Sequence, residues 1–339
     1  MAFNGRFVLN IIHFASNKGV DVATLLDYCG KTVDELGKES CIIEDEVYNN
    51  VIENAAIISE DPYFGLHASE NLNLAAAGLI SQLTHTAETV KQALEICCEY
   101  ANLGCSALPM KLVEEDDFYK VIMTPSSLWQ NQSPAAVRHT AEGILAFTIR
   151  EFHSLTRMKH FPIAIHLPWQ RPNVQDEYER VFGCPVQTNK SEIAILLRKE
   201  HVEDRVITSD YTLFRILVAH AEERSAILKN QQGFVSIVRQ SMVNLVKPEF
   251  PTIEQVASHL NISARTLQRR LKEEGYSYKE LIDELRKEFA ISYLKRRDLS
   301  ISEIAYLLSY AEASAFSRSF KRWTGKTPGS YQNELLAKP

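Results

Sequence analysis

Two stretches near the carboxy terminus, TIEQVASHLNISARTLQRRLKEEG (residues 252–275) and SISEIAYLLSYAEASAFSRSFKRWTG (residues 300–325), repeat one pattern. Ala257 and Ala305 match at an offset of 48, whereas Leu267 with Phe316 and Leu271 with Phe320 match at 49, so the second turn is one residue longer. Thr252 with Gln255 and Ser300 with Glu303 have the spacing of capping boxes, which satisfy free backbone N–H groups where a helix begins. Ser277 with Glu280 has it too. Val256, Leu260, Ile304 and Leu308 supply apolar faces, and the small Ala257 and Ala305 let a second helix cross closely. Each stretch reads as a helix-turn-helix, about 253–274 and about 301–324.

Within the first unit, Ser263 caps a second helix that turns Leu267 and Leu271 inward and Arg265, Gln268 and Arg269 outward. Arg bonds guanine O6 and N7 in a bidentate way, and Gln does so with adenine N6 and N7. These three are the candidate base readers, joined in the second unit by Ala313, Ser314 and Arg318. Lys272, Lys321 and Arg322 are candidate phosphate contacts. Between the units, Tyr278–Arg297 reads as one spacer helix with Leu281, Leu285, Ala290 and Leu294 as its buried stripe. Its basic end, Lys295, Arg296 and Arg297, adds further phosphate contacts.

Charge agrees with this placement. The chain of 339 residues has a net charge of −6, which taken whole argues against a nucleic-acid partner. Residues 249–339, however, hold fifteen Lys and Arg against twelve Asp and Glu, net +3, and the rest is net −9. The basic end is the DNA-binding candidate.

With EIAYLL, SARTLQRRLKEEG and SAFSRSFKRWTGKTPGSY in place, the chain resembles the AraC/XylS family of bacterial transcription regulators. Ile304, Ala305, Leu308, Phe316, Arg318, Phe320, Lys321, Gly325, Pro328 and Tyr331 stand where that family's signature has them. Ser309 departs from it, since a turn glycine is usual there. Glycine takes positive φ without steric cost, so Ser309 implies either a strained turn or one that avoids that conformation.

Upstream, DPYFGL (residues 61–66), FGCPV (residues 182–186) and the segment around Asp210 resemble the arabinose-binding-like amino-terminal domain of one subgroup, which includes ornithine-utilisation and virulence regulators. The resemblance implies an effector domain without naming an effector. It also implies double-stranded promoter DNA, a small-molecule effector and RNA polymerase as partners, an activator being the family's usual role, while the sequence leaves activation and repression both open.

The upstream residues support a mixed fold on their own. Val47–Ile58, Thr89–Tyr100 and Ala135–Phe152 show helical periodicity, while Lys111–Val113, Tyr119–Met123, Ile163–His166 and Ile193–Leu197 read as strands. Asp61-Pro62, Arg171-Pro172-Asn173 and Gly183-Cys184-Pro185 punctuate them. The expected organisation is an α+β effector domain over 1–205, linker helices over 206–247, and an all-α domain over 248–339 with two helix-turn-helix units joined by a long helix. In the linker, Thr208–Leu228 places Leu213, Leu217, Ala221 and Ala226 near one face, a possible homodimer seam. A hinge is expected near Gly233 and Pro248.

Other classes fare worse. GxSxG, HExxH, GxGxxG and GxxxxGK[ST] are absent, so no enzyme and no cofactor is expected. Cys29, Cys41, Cys97, Cys98, Cys105 and Cys184 lack CxxC pairs or a disulfide framework. A repair protein with a zinc-held acceptor cysteine would need a tetrahedral cluster, and adjacent Cys97 and Cys98 point to different sides of a helix. No metal site is expected. An architectural DNA bender would not need the outward Arg265, Gln268 and Arg269. No stretch has the length and apolarity of a membrane span, and the amino terminus lacks a signal-peptide layout, so a cytoplasmic protein is expected. Trp129, Arg138, His139, His166 and Trp169 are possible effector contacts, each more readily explained as structural, and the effector site is unknown at this level.

Overall fold

A computed structural model describes residues 2–38, 41–71, 78–170, 175–231, 233–246, 249–296 and 299–337. The expected turn at 171–173, Pro248 and Arg297 lie outside the described residues. Two compact units separate, Met1–Pro125 with Ser133–Ala226, and Ser126–Gln132 with Ile227–Pro339.

The first unit is α+β. It contains β1 (Ala2–Asn4), α1 (Gly5–Asn17), α2 (Val22–Cys29), α3 (Val33–Leu36), β2 (Ile42–Glu44), α4 (Asp45–Ile58), α5 (Phe64–Asn71), α6 (Leu79–Thr86), α7 (Val90–Tyr100), β3 (Met110–Glu114) and β4 (Phe118–Met123). After α8 (Ser127–Gln132), which belongs to the other unit, come α9 (Pro134–Thr156), β5 (Ala164–His166), α10 (Gln175–Phe182), β6 (Val186–Gln187), β7 (Ile193–Arg198), α11 (Lys199–Val202) and α12 (Tyr211–Gln231), whose residues from Ile227 fall in the other unit.

Five strands form one sheet in the order β3-β4-β7-β5-β6, antiparallel except for β5 with β6. The central β7 is apolar from Ile193 to Leu197 and buried on both faces, as a covered inner strand must be. Its neighbour β4 alternates, burying Tyr119, Val121 and Met123. A separate ribbon pairs β1 with β2.

The DPYFGL stretch holds this unit together at two levels. Asp61 accepts from the Tyr63 N–H at 3.0 Å and faces His67 Nδ1 at 2.7 Å, while His67 Nε2 faces Glu177 of α10 at 2.7 Å. Burial raises the Asp61 carboxyl, but His67, the Tyr63 N–H and Lys18 together hold it below its ordinary value. Gly65 then lets α5 cross α9 at backbone contact, because an added Cβ would lie 1.9 Å from the His139 carbonyl oxygen. Gly143 faces it from the other side, its own Cβ position 2.8 Å from the Gly65 oxygen.

The linker helix α12 corrects one expectation. Its buried side is Phe214, Leu217, Val218 and Ala221 against Leu83, Ile96 and Tyr100, while Leu213 and Ala226 are exposed. The inward stripe is turned from the expected one because Ala221 is the fixed point, and positions 214, 217 and 218 lie one and two turns below it.

The second unit is all-helical: α13 (Phe234–Leu245), α14 (Ile253–His259), α15 (Ala264–Glu273), α16 (Tyr278–Arg296), α17 (Ile301–Leu307), α18 (Ala313–Thr324) and α19 (Pro328–Ala337), with α8 against α13 and α16. Its core combines Val256, Leu267 and Leu271 of the first helix-turn-helix with Ile304, Phe316 and Phe320 of the second. The spacer contributes Leu281, Leu285, Ala290 and Leu294 as expected, and Ile282 and Phe289 besides. Helix α13 is part of this core: Phe234, Val238, Met242 and Val243, with Val246 just past its end, are all buried in it. The helix that follows Gly233 is thus held to the second unit by its apolar face.

Candidate functional site

Every start signal read from the repeat is made. Thr252 with Gln255 and Ser300 with Glu303 form reciprocal capping boxes. Ser277 and Glu280 cap the spacer in the same way, and the Ser263 hydroxyl accepts from the Thr266 N–H at 3.1 Å. Of the two second helices, on which the candidate base readers sit, α15 is capped directly by Ser263, whereas α18 begins at Glu312 without a side-chain cap.

Leu267 and Leu271 of α15 are fully buried. Arg265, Gln268, Arg269 and Lys272 are exposed, and their spacing of three, four and seven puts them on one face. Arg269 touches Glu273 one turn on at 3.2 Å, an exposed pair of little energetic weight that a stronger acceptor can displace. Helix α18 repeats the plan with Phe316 and Phe320 buried, Ser314, Arg318 and Lys321 exposed, and Ser317 half-buried on the same side. Ala313 is half-buried and packs against the core. The Ser314 hydroxyl donates to Glu312 at 3.0 Å.

The signature residues divide by role. Ile304, Ala305, Leu308, Phe316 and Phe320 are core, Gly325 takes φ 77° at the end of α18, Pro328 opens α19, and Tyr331 packs edge-on against Phe320. Arg318 and Lys321 are the two that face solvent, and packing does not account for them.

Both turns close as Schellman motifs. Ile262 N–H donates to the Ala257 carbonyl and Tyr310 N–H to the Ala305 carbonyl, each at 2.9 Å, with Asn261 at φ 54° and Ser309 at φ 59° between them. The second turn is thus the strained alternative: an L-residue there costs roughly 1–2 kcal/mol, which asparagine tolerates better than serine. Ser309→Gly relieves that strain but loosens the unfolded chain, so it is expected to stabilise the second unit by about 0.5–1 kcal/mol in urea unfolding. A loss of stability would contradict the strain.

Of the candidate phosphate contacts, Lys272, Lys295, Lys321 and Arg322 are exposed, and Arg322 also meets Asp283 of α16 at 3.2 Å. Arg296 ends α16. Three residues that sequence reasoning passed over position the reading helices instead. Arg270 stacks on Phe234 with its guanidinium 4.0 Å from the ring centre. Glu274 accepts from the backbone N–H groups of Phe234 and Val235 at 2.8 and 3.1 Å, capping α13 from the end of α15. Arg286 of α16 lies over the rings of both Phe250 and Tyr310. The contacts are long-range, so no local pattern announces them.

The first unit contains a cavity of about 150 Å³ lined by α6, α7 and α9, among them Leu94, Ile144, Phe147 and Glu151. None of Trp129, Arg138, His139, His166 and Trp169 lines it. Trp129 is buried in α8, His139 accepts from the Gly65 N–H, His166 faces Glu192, and the Trp169 indole donates to buried Glu142. Burial pushes the thiols of Cys97, Cys105 and Cys184 up to about 12 and that of Cys98 up to about 11, so these stay protonated and unreactive. Among the described residues no three His, Cys, Asp or Glu side chains are placed to share a metal ion, and no helix is long and apolar enough to cross a membrane.

Residues 19–206 match the model of the arabinose-binding domain of AraC transcription regulators, N-terminal, and residues 256–334 match a helix-turn-helix domain. The ornithine utilization regulator of Pseudomonas aeruginosa is 26% identical over 286 residues, 84% of this chain and 83% of that one. The regulator VirS of Mycobacterium tuberculosis is 41% identical over 97 residues, 27% of this chain and 28% of its own length. Among solved structures, the transcriptional regulator CdpR from Pseudomonas aeruginosa aligns over 91% of this chain and 96% of its own, with 23% identity and a TM-score of 0.45.

Proposed function

This chain belongs to the AraC-type transcription regulators with an arabinose-binding-type amino-terminal domain, whose model matches more than half of it, and from that premise we propose how it reads DNA and what controls it. Helix α15 reads base edges in the major groove through Arg265, Gln268 and Arg269, and α18 docks one helical turn away through Ala313, Ser314 and Arg318. Lys272, Lys295, Arg296, Arg297, Lys321 and Arg322 hold phosphates. The observation that carries this reading is the pair of exposed faces on α15 and α18, each set opposite a fully buried pair, Leu267 with Leu271 and Phe316 with Phe320. Two guanine readers and one adenine reader against short serines make the first box the informative one.

Arg269→Ala is expected to cost about 1–3 kcal/mol in binding and to relax preference at one base pair. Lys321→Ala is expected to weaken all sites alike and to lower the salt slope by about one. Selection from randomised sites checks both, and equal information in two half-boxes one turn apart would refute the division of labour.

The amino-terminal unit binds a small-molecule effector that alters DNA affinity, and the regulator activates transcription through contact with RNA polymerase. Homodimerisation through α12 belongs to the same reading, supported by Leu213 and Ile216, 43% and 62% exposed on that helix.

A further inference from the structure

We infer that the cavity lined by α6, α7 and α9 is the effector site, and that its ligand is a small apolar molecule with a hydrogen-bond-donating head, an amine before an alcohol, seated on Glu151. The inference rests on the reading that an effector controls this regulator, and adds its place and chemical class.

Leu94, Ile144, Phe147, Phe152 and Leu155 supply the apolar walls. At about 150 Å³ the space suits a molecule of roughly six to ten non-hydrogen atoms, since a dry apolar cavity of that size accepts benzene.

The polar lining sets the head group, because its oxygens are arranged as acceptors. The Thr84 hydroxyl donates to the Ser81 carbonyl at 2.9 Å and the Thr148 hydroxyl to the Ile144 carbonyl at 2.8 Å, so each hydrogen is committed to its own helix and the lone pairs remain. The Ser81 hydroxyl is engaged with Glu151. Glu151 itself, 12% exposed, meets His85 Nε2 at 3.2 Å. A carboxylate has about four acceptor sites, and these two partners leave others for a ligand. None of the described lining residues is Lys or Arg. The two cationic groups nearby, His85 and Arg150, already act on Glu151, so a carboxylate or phosphate head would have to share them with that carboxylate, whereas an ammonium or hydroxyl head finds an acceptor at the end of an apolar slot. Burial raises the Glu151 carboxyl despite His85, Arg150 and the Ser81 hydroxyl, which is the desolvation an incoming cation relieves.

Benzylamine, benzyl alcohol and benzoate share one body and differ in the head, so calorimetric titration of the full chain with each tests the assignment. Benzylamine is expected to bind best, benzyl alcohol less well and benzoate not detectably. Glu151→Gln should weaken benzylamine by about tenfold or more, the loss of a charged hydrogen-bond partner, while benzyl alcohol changes little. Ala93→Leu, which fills the lining, should abolish both. Should Ala93→Leu fail to fold, the amine-to-alcohol ratio in Glu151→Gln still decides. Benzoate binding as tightly as benzylamine, an amine preference that survives Glu151→Gln, or no binding of amine and alcohol would each overturn the inference. A metabolite library scored by DNA affinity separates it from effector control. A compound that shifts wild type and Ala93→Leu equally removes this cavity as the site and leaves control intact. No compound shifting either, with benzylamine still bound at Glu151, leaves the cavity's ligand class standing and removes control.

Discussion

A fragment beginning at Glu249 will not unfold cooperatively, whereas one beginning at Gly233, which lacks α8 with its buried Leu128 but keeps every helix from α13 to α19, will. The shorter piece keeps both helix-turn-helix units, all their caps and the spacer, and by local signals alone it is complete. It loses α13, and with it Phe234, Val238, Met242, Val243 and Val246, which are each no more than 7% exposed. Full burial of such side chains contributes about 1.5–3 kcal/mol each, so the gross loss is on the order of 10 kcal/mol. That matches the whole stability of a small domain, about 5–15 kcal/mol. Removal also strands Arg270, whose guanidinium stacks on Phe234, and Glu274, which caps α13. Thermal melts of the two fragments by circular dichroism decide the matter. Equal, sharp transitions would show that α13 is dispensable.

Gly65→Ala will destabilise the amino-terminal unit by about 3 kcal/mol or more, at the upper end of overpacking. The reason is contact, not backbone conformation, since Gly65 is not among the residues of positive φ. Its new Cβ would stand 1.9 Å from the His139 oxygen, 2.5 Å from its carbonyl carbon and 2.6 Å from its Cα, all backbone atoms of α9 that no rotamer change can move. Helices α5 and α9 would have to part, breaking the Gly65 N–H to His139 hydrogen bond at 3.3 Å. Gly37→Ala is the control. Its Cβ would meet nothing nearer than 3.4 Å and its φ is −67°, so it should cost under about 0.5 kcal/mol. Urea unfolding of the full chain, followed by a probe in the first unit, measures both. Similar midpoints for the two variants would mean that the close crossing relaxes freely.

The sequence by itself determined everything that is local or periodic. Capping boxes need residues three apart, an inward face needs apolar residues three and four apart, and the longer second turn needs only a count, so α14 to α18 and their exposed faces were legible before any coordinates. The strands β3, β4, β5 and β7 were legible too, through β-rich runs bounded by turn residues. What the tertiary structure decided are matters of partnership across the chain. The periodicity of α13 does not say which core it fills, and that of α12 pointed to a face with Leu213 and Ala226, which are exposed, while Phe214 and Val218 pack beside Ala221 against Leu83 and Tyr100. Ser309 was ambiguous between strain and avoidance, because only the backbone torsion distinguishes them. The glycine of DPYFGL entered only as part of a family resemblance and proves to be a helix crossing. The cavity at Glu151 left no trace in the sequence at all. A void is defined by helices α6, α7 and α9 failing to fill the space between them, and empty space has no residue type.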